Sequence, residues 1–100
     1  MDENNIILLI DSNKRIIYEL EENNFSEARK LFIDGIRLFQ TVMFGMVYAN
    51  IYDEAIIASL IKDALDGIDN HDKVLLLDTL KYGINSILKQ ILDEMEMSYE

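Results

Sequence analysis

Four aspartates, Asp63, Asp66, Asp69 and Asp72, recur every third residue around the chain's one histidine, His71. A cluster of carboxylates can gather a hard cation such as Ca²⁺ or Mg²⁺. The spacing does not suit an EF-hand loop. Counted from Asp66, the third position is Ile68 and the twelfth is Leu77, where oxygen ligands are required. The aspartates read instead as a solvated helix face. His71 lies between Asn70 and Asp72 in a turn, and a histidine there could serve as a general base or a pH sensor. It reads more simply as a solvated turn residue. With no second histidine, a two-histidine metal site and the paired Glu-x-x-His motifs of di-iron bundles are excluded.

Hydroxyl nucleophiles are available at Ser12, Ser26, Ser59, Ser86, Ser98, Thr41 and Thr79. None sits in a Gly-x-Ser-x-Gly elbow, and a lone turn histidine cannot be paired with any of them. The absence of cysteine removes thiolate catalysis, thiolate metal sites and disulfides. There is no phosphate-binding Gly-x-x-x-x-Gly-Lys loop and no dinucleotide fingerprint. Glu21-Glu22 and Asp93-Glu94 are ordinary acidic pairs on a helix surface. The sequence therefore reads as a non-enzymatic protein with no catalytic residue, no metal and no cofactor.

A different kind of chemistry is concentrated at residues 38–49, Leu-Phe-Gln-Thr-Val-Met-Phe-Gly-Met-Val-Tyr-Ala. This stretch is apolar nearly all round a helix, in a chain of formal net charge −10. A helix without a polar face is buried or meets a partner. Met43 and Met46 beside Phe44 and Tyr48 combine flexible thioethers with aromatics, a mixture suited to receiving apolar helices. Tyr18, Tyr52, Tyr82 and Tyr99 read as half-buried positions of no special note.

Charge sorts the partners. Residues 1–50 carry 8 acids and 5 bases, and residues 51–100 carry 11 acids and 4 bases. So acidic a chain repels phosphate backbones and anionic membrane surfaces, leaving protein as the expected partner. The longest apolar run, Ile6 to Ile10, falls far short of the ~20 residues of a membrane span. The N-terminal Met-Asp-Glu-Asn-Asn lacks a basic signal region, and a cytoplasmic location is expected.

The elements that position these residues are helices. Proline is absent and glycine occurs only at 35, 45, 67 and 83, which disfavours a strand-rich fold with many turns. Asn23-Asn24, Asn50 and Asp69-Asn70-His71 punctuate the chain, since asparagine both closes one helix and caps the next. Four helices follow, over 4–22, 25–49, 52–68 and 71–97, in a single domain of 100 residues. Asn24 and Glu27 have capping-box spacing at the start of the second.

Apolar stripes run through the third helix at Ile57, Leu60, Ile61, Ala64, Leu65 and Ile68, and through the fourth at Leu77, Leu80, Ile84, Ile87, Ile91 and Met95. Residues 6–18 also read as a hairpin turning at Asp11-Ser12-Asn13-Lys14, and such a hairpin resembles the opening of a sensory PAS domain. A lone two-stranded hairpin is only marginally stable, so the helix is preferred, with Asn13 as the one flaw on its apolar face. Asp34-Gly35-Ile36 and Tyr82-Gly83-Ile84 match at an offset of 48, a hint that two similar hairpins compose the chain.

Short links make sequential helices antiparallel, giving an all-α, four-helix, up-down-up-down bundle of two helical hairpins. At 1.5 Å per residue the second and fourth helices run roughly 37–40 Å and the first and third roughly 25–29 Å. The first helix then covers the second only to Val42 or Met43. The expected protein interface is what lies around and beyond that point: Met43, Phe44, Met46, Val47 and Tyr48. Self-association into a homodimer through the second helix is the leading expectation. The alternatives are a small chaperone or adaptor holding an amphipathic client segment, or an acidic inhibitor of a basic partner. The inhibitor needs Asp63, Asp66, Asp69 and Asp72 on one face.

Asn-Asn-Phe-Ser-Glu-Ala-Arg-Lys-Leu-Phe at 23–32 resembles the start of a tetratricopeptide-type helix, but no 34-residue repeat follows. The same segment, with Asp34-Gly35-Ile36 and the run Asp72-Lys73-Val74-Leu75-Leu76-Leu77-Asp78-Thr79-Leu80-Lys81-Tyr82, is similar to a family of small uncharacterised all-helical proteins from Gram-positive bacteria. That resemblance covers about half the chain. It implies an all-helical fold and brings no activity and no site residues.

Overall fold

Helix accounts for nearly the whole chain. The computed structural model describes residues 2–97, and among these there are five helices and no strand. Helix α1 spans Glu3–Glu21, with the Asp2 carboxylate accepting the Asn4 N–H at 2.9 Å as its cap. Ile6, Leu9, Ile10, Ile16, Ile17 and Leu20 form its inner face, and the alternative hairpin over 6–18 does not form. Asn13, the polar residue on that face, is only 1 % exposed and is satisfied from across the core. Its Nδ2 donates to Asn85 Oδ1 at 2.9 Å, and Asn85 Nδ2 donates to the Ile10 carbonyl at 3.4 Å.

The expected second helix over 25–49 is two helices, which corrects the four-helix bundle. Helix α2 spans Phe25–Asp34 and α3 spans Ile36–Tyr48, and their axes bend by 63°. The backbone ladder runs up to the Gly35 N–H on the Leu31 carbonyl and resumes with the Phe39 N–H on Gly35. The physical reason is tertiary. The bend lays α3 against both α1 and α4, burying Phe39, Val42, Met43 and Met46, with the Phe32 and Phe39 rings 5.3 Å apart across the break. Glycine is the residue at which a helix gives way most cheaply.

Helix α4 spans Glu54–Asp69, capped by Asp53, whose carboxylate accepts the Ala55 N–H at 2.7 Å. The last helix, α5, covers 73–97 in three parts: an α-helical start Lys73–Asp78, a π-helical segment Thr79–Ile84, and α-helix again over Asn85–Met97. The wide turn explains the core spacing. Leu76, Leu80, Ile84 and Leu88 are all buried at intervals of four. At 3.6 residues per turn, three such steps would rotate the stripe by about 120°. A π turn, bonded i to i+5, absorbs that drift. Thr79 stands at its start and donates its hydroxyl to the Leu75 carbonyl at 2.7 Å.

The ends of α1, α3 and α4 share one device. Asn23, Asn50 and His71 have φ of 59°, 55° and 51°, the left-handed conformation that closes a helix. At each end the next residue's N–H reaches five back: Asn24 to Glu19, Ile51 to Met46, and Asp72 to Gly67. Two of these ends repeat at the offset of 48. Helices α1 and α4 stop at Glu21 and Asp69, and the caps Asn24 and Asp72 accept from the Glu27 and Leu75 N–H groups. Further on the halves diverge, one bending at Gly35 and the other widening over Thr79–Ile84.

Packing joins α1 to α2, α3 and α5, and α4 to α3 and α5, in a body of 42 × 25 × 21 Å. Helices α4 and α5 cross closely, and a Cβ added to Gly67 would lie 2.9 Å from Leu76 Cβ. No single helix among the described residues is long and apolar enough to cross a membrane. The pair α2 and α3 reaches that length and hydropathy only together, across its 63° bend.

Candidate functional site

Inner and outer faces divide the five sequence-selected residues of α3. Met43 and Met46 are 0 % exposed and belong to the core. Phe44 is 50 % exposed and Tyr48 88 %, while Val47 is partly buried and packed against the core. The reason for their exposure differs from the expected overhang. With the chain bent at Gly35, α1 does reach the inner side of α3, and Phe44 and Tyr48 are exposed because they occupy its outer side.

Phe44 and Val47 form one wall of a groove of about 520 Å³ between α3 and α4. The other wall is supplied by α4, from which Ile57, Ala58, Ile61 and Leu65 face the groove. Ile57, Ile61 and Leu65 were legible as part of an apolar stripe and Ala58 was not, but the stripe alone does not tell core from groove. Only Ile57 is fully covered, whereas Leu65 is exposed and Ile61 is half-buried. The groove runs along α4 from Glu54 to Asp69, roughly 22 Å at 1.5 Å per residue.

Its rim is acidic. Glu54, Asp66 and Asp69 line it with a single base, Lys62. Lys62 is already engaged, its Nζ 2.8 Å from Asp66 Oδ2 one helical turn away. The hydrogen bond that Lys62 donates to Asp66, together with the carboxylate's charge, holds the Lys62 ammonium above the ordinary lysine range.

The other residues singled out in the sequence do not assemble. Asp63, Asp66 and Asp69 spread over about 120° of α4 at 100° per residue. Asp72 is occupied in capping α5, its carboxylate accepting the Leu75 N–H at 3.1 Å. No group of three or more His, Cys, Asp or Glu among the described residues is placed to hold a metal ion. The His71 ring rests on Phe25, centroids 4.9 Å apart, at the turn between α4 and α5. Of the hydroxyls, Thr79 is held by the backbone, Ser59, Ser86 and Thr41 are exposed on separate helices, and Ser98 lies outside the described residues, as does Tyr99. Tyr18 and Tyr82 are more exposed than their expected half-burial, and Tyr52 is half-buried with its hydroxyl donating to Gln90 Oε1 at 3.4 Å.

Comparison of the chain with family models, with curated proteins and with solved structures finds no match.

Proposed function

We propose that this protein is a non-enzymatic interaction module that binds an amphipathic helix carrying basic flanks in the groove between α3 and α4. The observation that carries this reading is the combination of an apolar floor and an acidic rim. Phe44, Val47, Ile61 and Leu65 offer apolar contact, and Glu54, Asp66 and Asp69 border it. A helix of about 15 residues matches the roughly 22 Å length. Helix-in-groove recognition uses apolar anchors at spacings of three and four, and complementary charge at the rim steers and selects the partner.

The same rim argues against a second copy as occupant. A symmetric dimer through this face would set the acidic rims of two chains of charge −10 near one another. A cationic helix meets no such opposition.

The test is titration of the protein with two 15-residue helical peptides that share one leucine face, one with lysine and the other with glutamate on the remaining positions. The lysine peptide is expected to bind, to bind more weakly as salt rises, and to lose affinity at least tenfold with Phe44→Asp or Leu65→Asp. Equal binding of both peptides, or binding unaffected by those variants, overturns the reading. Sedimentation equilibrium without peptide adds a control, because a dimer abolished by Phe44→Asp would replace the peptide by a second copy.

A further inference from the structure

A second concavity, of about 520 Å³, lies on another face of the molecule, between α1 and the stretch of α5 from the π-helical Lys81 and Tyr82 to Lys89 in the α-helix that follows. Its charge is opposite to that of the chain as a whole. Lys14 from α1 and Lys81 and Lys89 from α5 line it, and the one acid present is Glu21. Glu21 is matched by Lys81, with Nζ to Oε2 at 3.8 Å. Lys14 and Lys89 make no ion pair among the described residues. A local excess of two positive charges therefore stands in a protein of net charge −10.

The body of the cleft is apolar and aromatic. Ile10 and Ile17, both largely buried, line it together with Tyr18 from α1 and Tyr82 from α5. Both tyrosine rings are exposed, and Lys81 Nζ stands 5.6 Å from the centroid of the Tyr82 ring. Asn85 also lines the cleft and is fixed there by its bonds with Asn13 and the Ile10 carbonyl. The π turn lies at this place, and wide turns of this kind recur where helices carry functional groups. Pockets of about 300–1,000 Å³ lined by apolar and aromatic side chains, with a few polar groups to fix orientation, suit small organic ligands.

We propose that this cleft binds a small organic anion with a planar aromatic body, the rings of Tyr18 and Tyr82 contacting the body and Lys14 and Lys89 contacting the anionic head. Aromatic faces reward a planar body by offset or edge contact, and unpaired ammonium groups at the rim select the negative head. This site is independent of the groove between α3 and α4, with which it shares no residue.

The probe is 1-anilinonaphthalene-8-sulfonate, followed by fluorescence, against the uncharged N-phenyl-1-naphthylamine of similar shape. The sulfonate is expected to bind at least tenfold more tightly than the neutral probe, with affinity falling as salt rises. Lys14→Glu with Lys89→Glu should weaken sulfonate binding at least tenfold and leave circular dichroism unchanged, since both side chains are exposed. Phe44→Asp should leave sulfonate binding intact, which separates this cleft from the groove on α3. Competition with indole-3-carboxylate and with adenosine monophosphate distinguishes a carboxylate head from a phosphate head. Equal affinity for the two probes, or sulfonate binding that survives the double lysine variant, overturns the proposal.

Discussion

Asn13 on α1 and Asn85 on α5 are hydrogen-bonded side chain to side chain at 2.9 Å, joining residues 72 apart in sequence. Asn13 is almost wholly buried, so its amide has no water to fall back on. The pair also fixes register. Asn85 bonds a second time to the Ile10 carbonyl and is the first residue of α-helix after the π segment.

Removing one partner is therefore expected to cost more than removing both. Asn13→Ala deprives Asn85 Oδ1 of its donor and opens a small cavity, for about 1–3 kcal/mol of lost stability. Asn13→Leu with Asn85→Leu should recover part of that loss, because two apolar groups leave no orphaned amide. A double-mutant cycle of Asn13→Leu, Asn85→Leu and the two together, by chemical denaturation, measures the difference. Additive single effects would mean that the bond contributes nothing beyond shape.

The glycines give a paired prediction of opposite sign. Gly67 has φ outside the left-handed region, so helix propensity alone favours alanine there. Yet its added Cβ would meet Leu76 Cβ at 2.9 Å and Leu76 Cα and N at 3.1 Å, atoms that cannot move without shifting α5. Gly67→Ala should destabilise by about 1–3 kcal/mol. At Gly35 the nearest atoms are 3.4 Å away, an ordinary contact. Gly35→Ala should stabilise by about 0.4–1 kcal/mol through the unfolded chain. Thermal unfolding of the two variants side by side checks the signs.

Asn50 tests the closing device alone, since its side chain is exposed and makes no hydrogen bond among the described residues. At φ of 55° a Cβ-bearing residue other than asparagine or aspartate is disfavoured by about 1–2 kcal/mol. Asn50→Ala should lose about 1 kcal/mol, while Asn50→Gly should be neutral or mildly stabilising. The denaturation midpoint should move with no change in slope.

These local features were legible because each is decided within a few residues. The Asn24–Glu27 spacing, the closing asparagines at 23 and 50, and the inner face of α1 all follow from short-range chemistry. The break at Gly35 is not of that kind. Apolar periodicity continues on both sides of it, Gly35 keeps a negative φ of −97°, and the bend is imposed by what α3 packs against. The π segment was hidden for a related reason. Leu77, Leu80, Ile84, Ile87, Ile91 and Met95 fit a regular α-helix, and only packing shows that Leu76 and Leu88 take the inner positions. The lysine-rimmed cleft was less legible still, because its two sides come from residues 10–21 and 81–89. Its one trace is the recurrence of bases and tyrosines at helical spacing, Lys14 with Tyr18 and Tyr82 with Ser86 and Lys89.

The division of α3 into inner and outer faces gives the last prediction. Met43 and Phe44 are neighbours in sequence, and a pattern that is apolar all round cannot rank them. The structure ranks them firmly, with Met43 sealed and Phe44 half exposed. Met43→Ala should therefore cost about 2–5 kcal/mol by opening a cavity in the core. Phe44→Ala should cost less than about 1 kcal/mol, because half of its surface is in water already. Partner binding is expected to invert the order, with Phe44→Ala weakening capture of a basic helix while the folded fraction of Met43→Ala still binds. A stability loss at Phe44 equal to that at Met43 would place the aromatic ring in the core and remove the groove's wall.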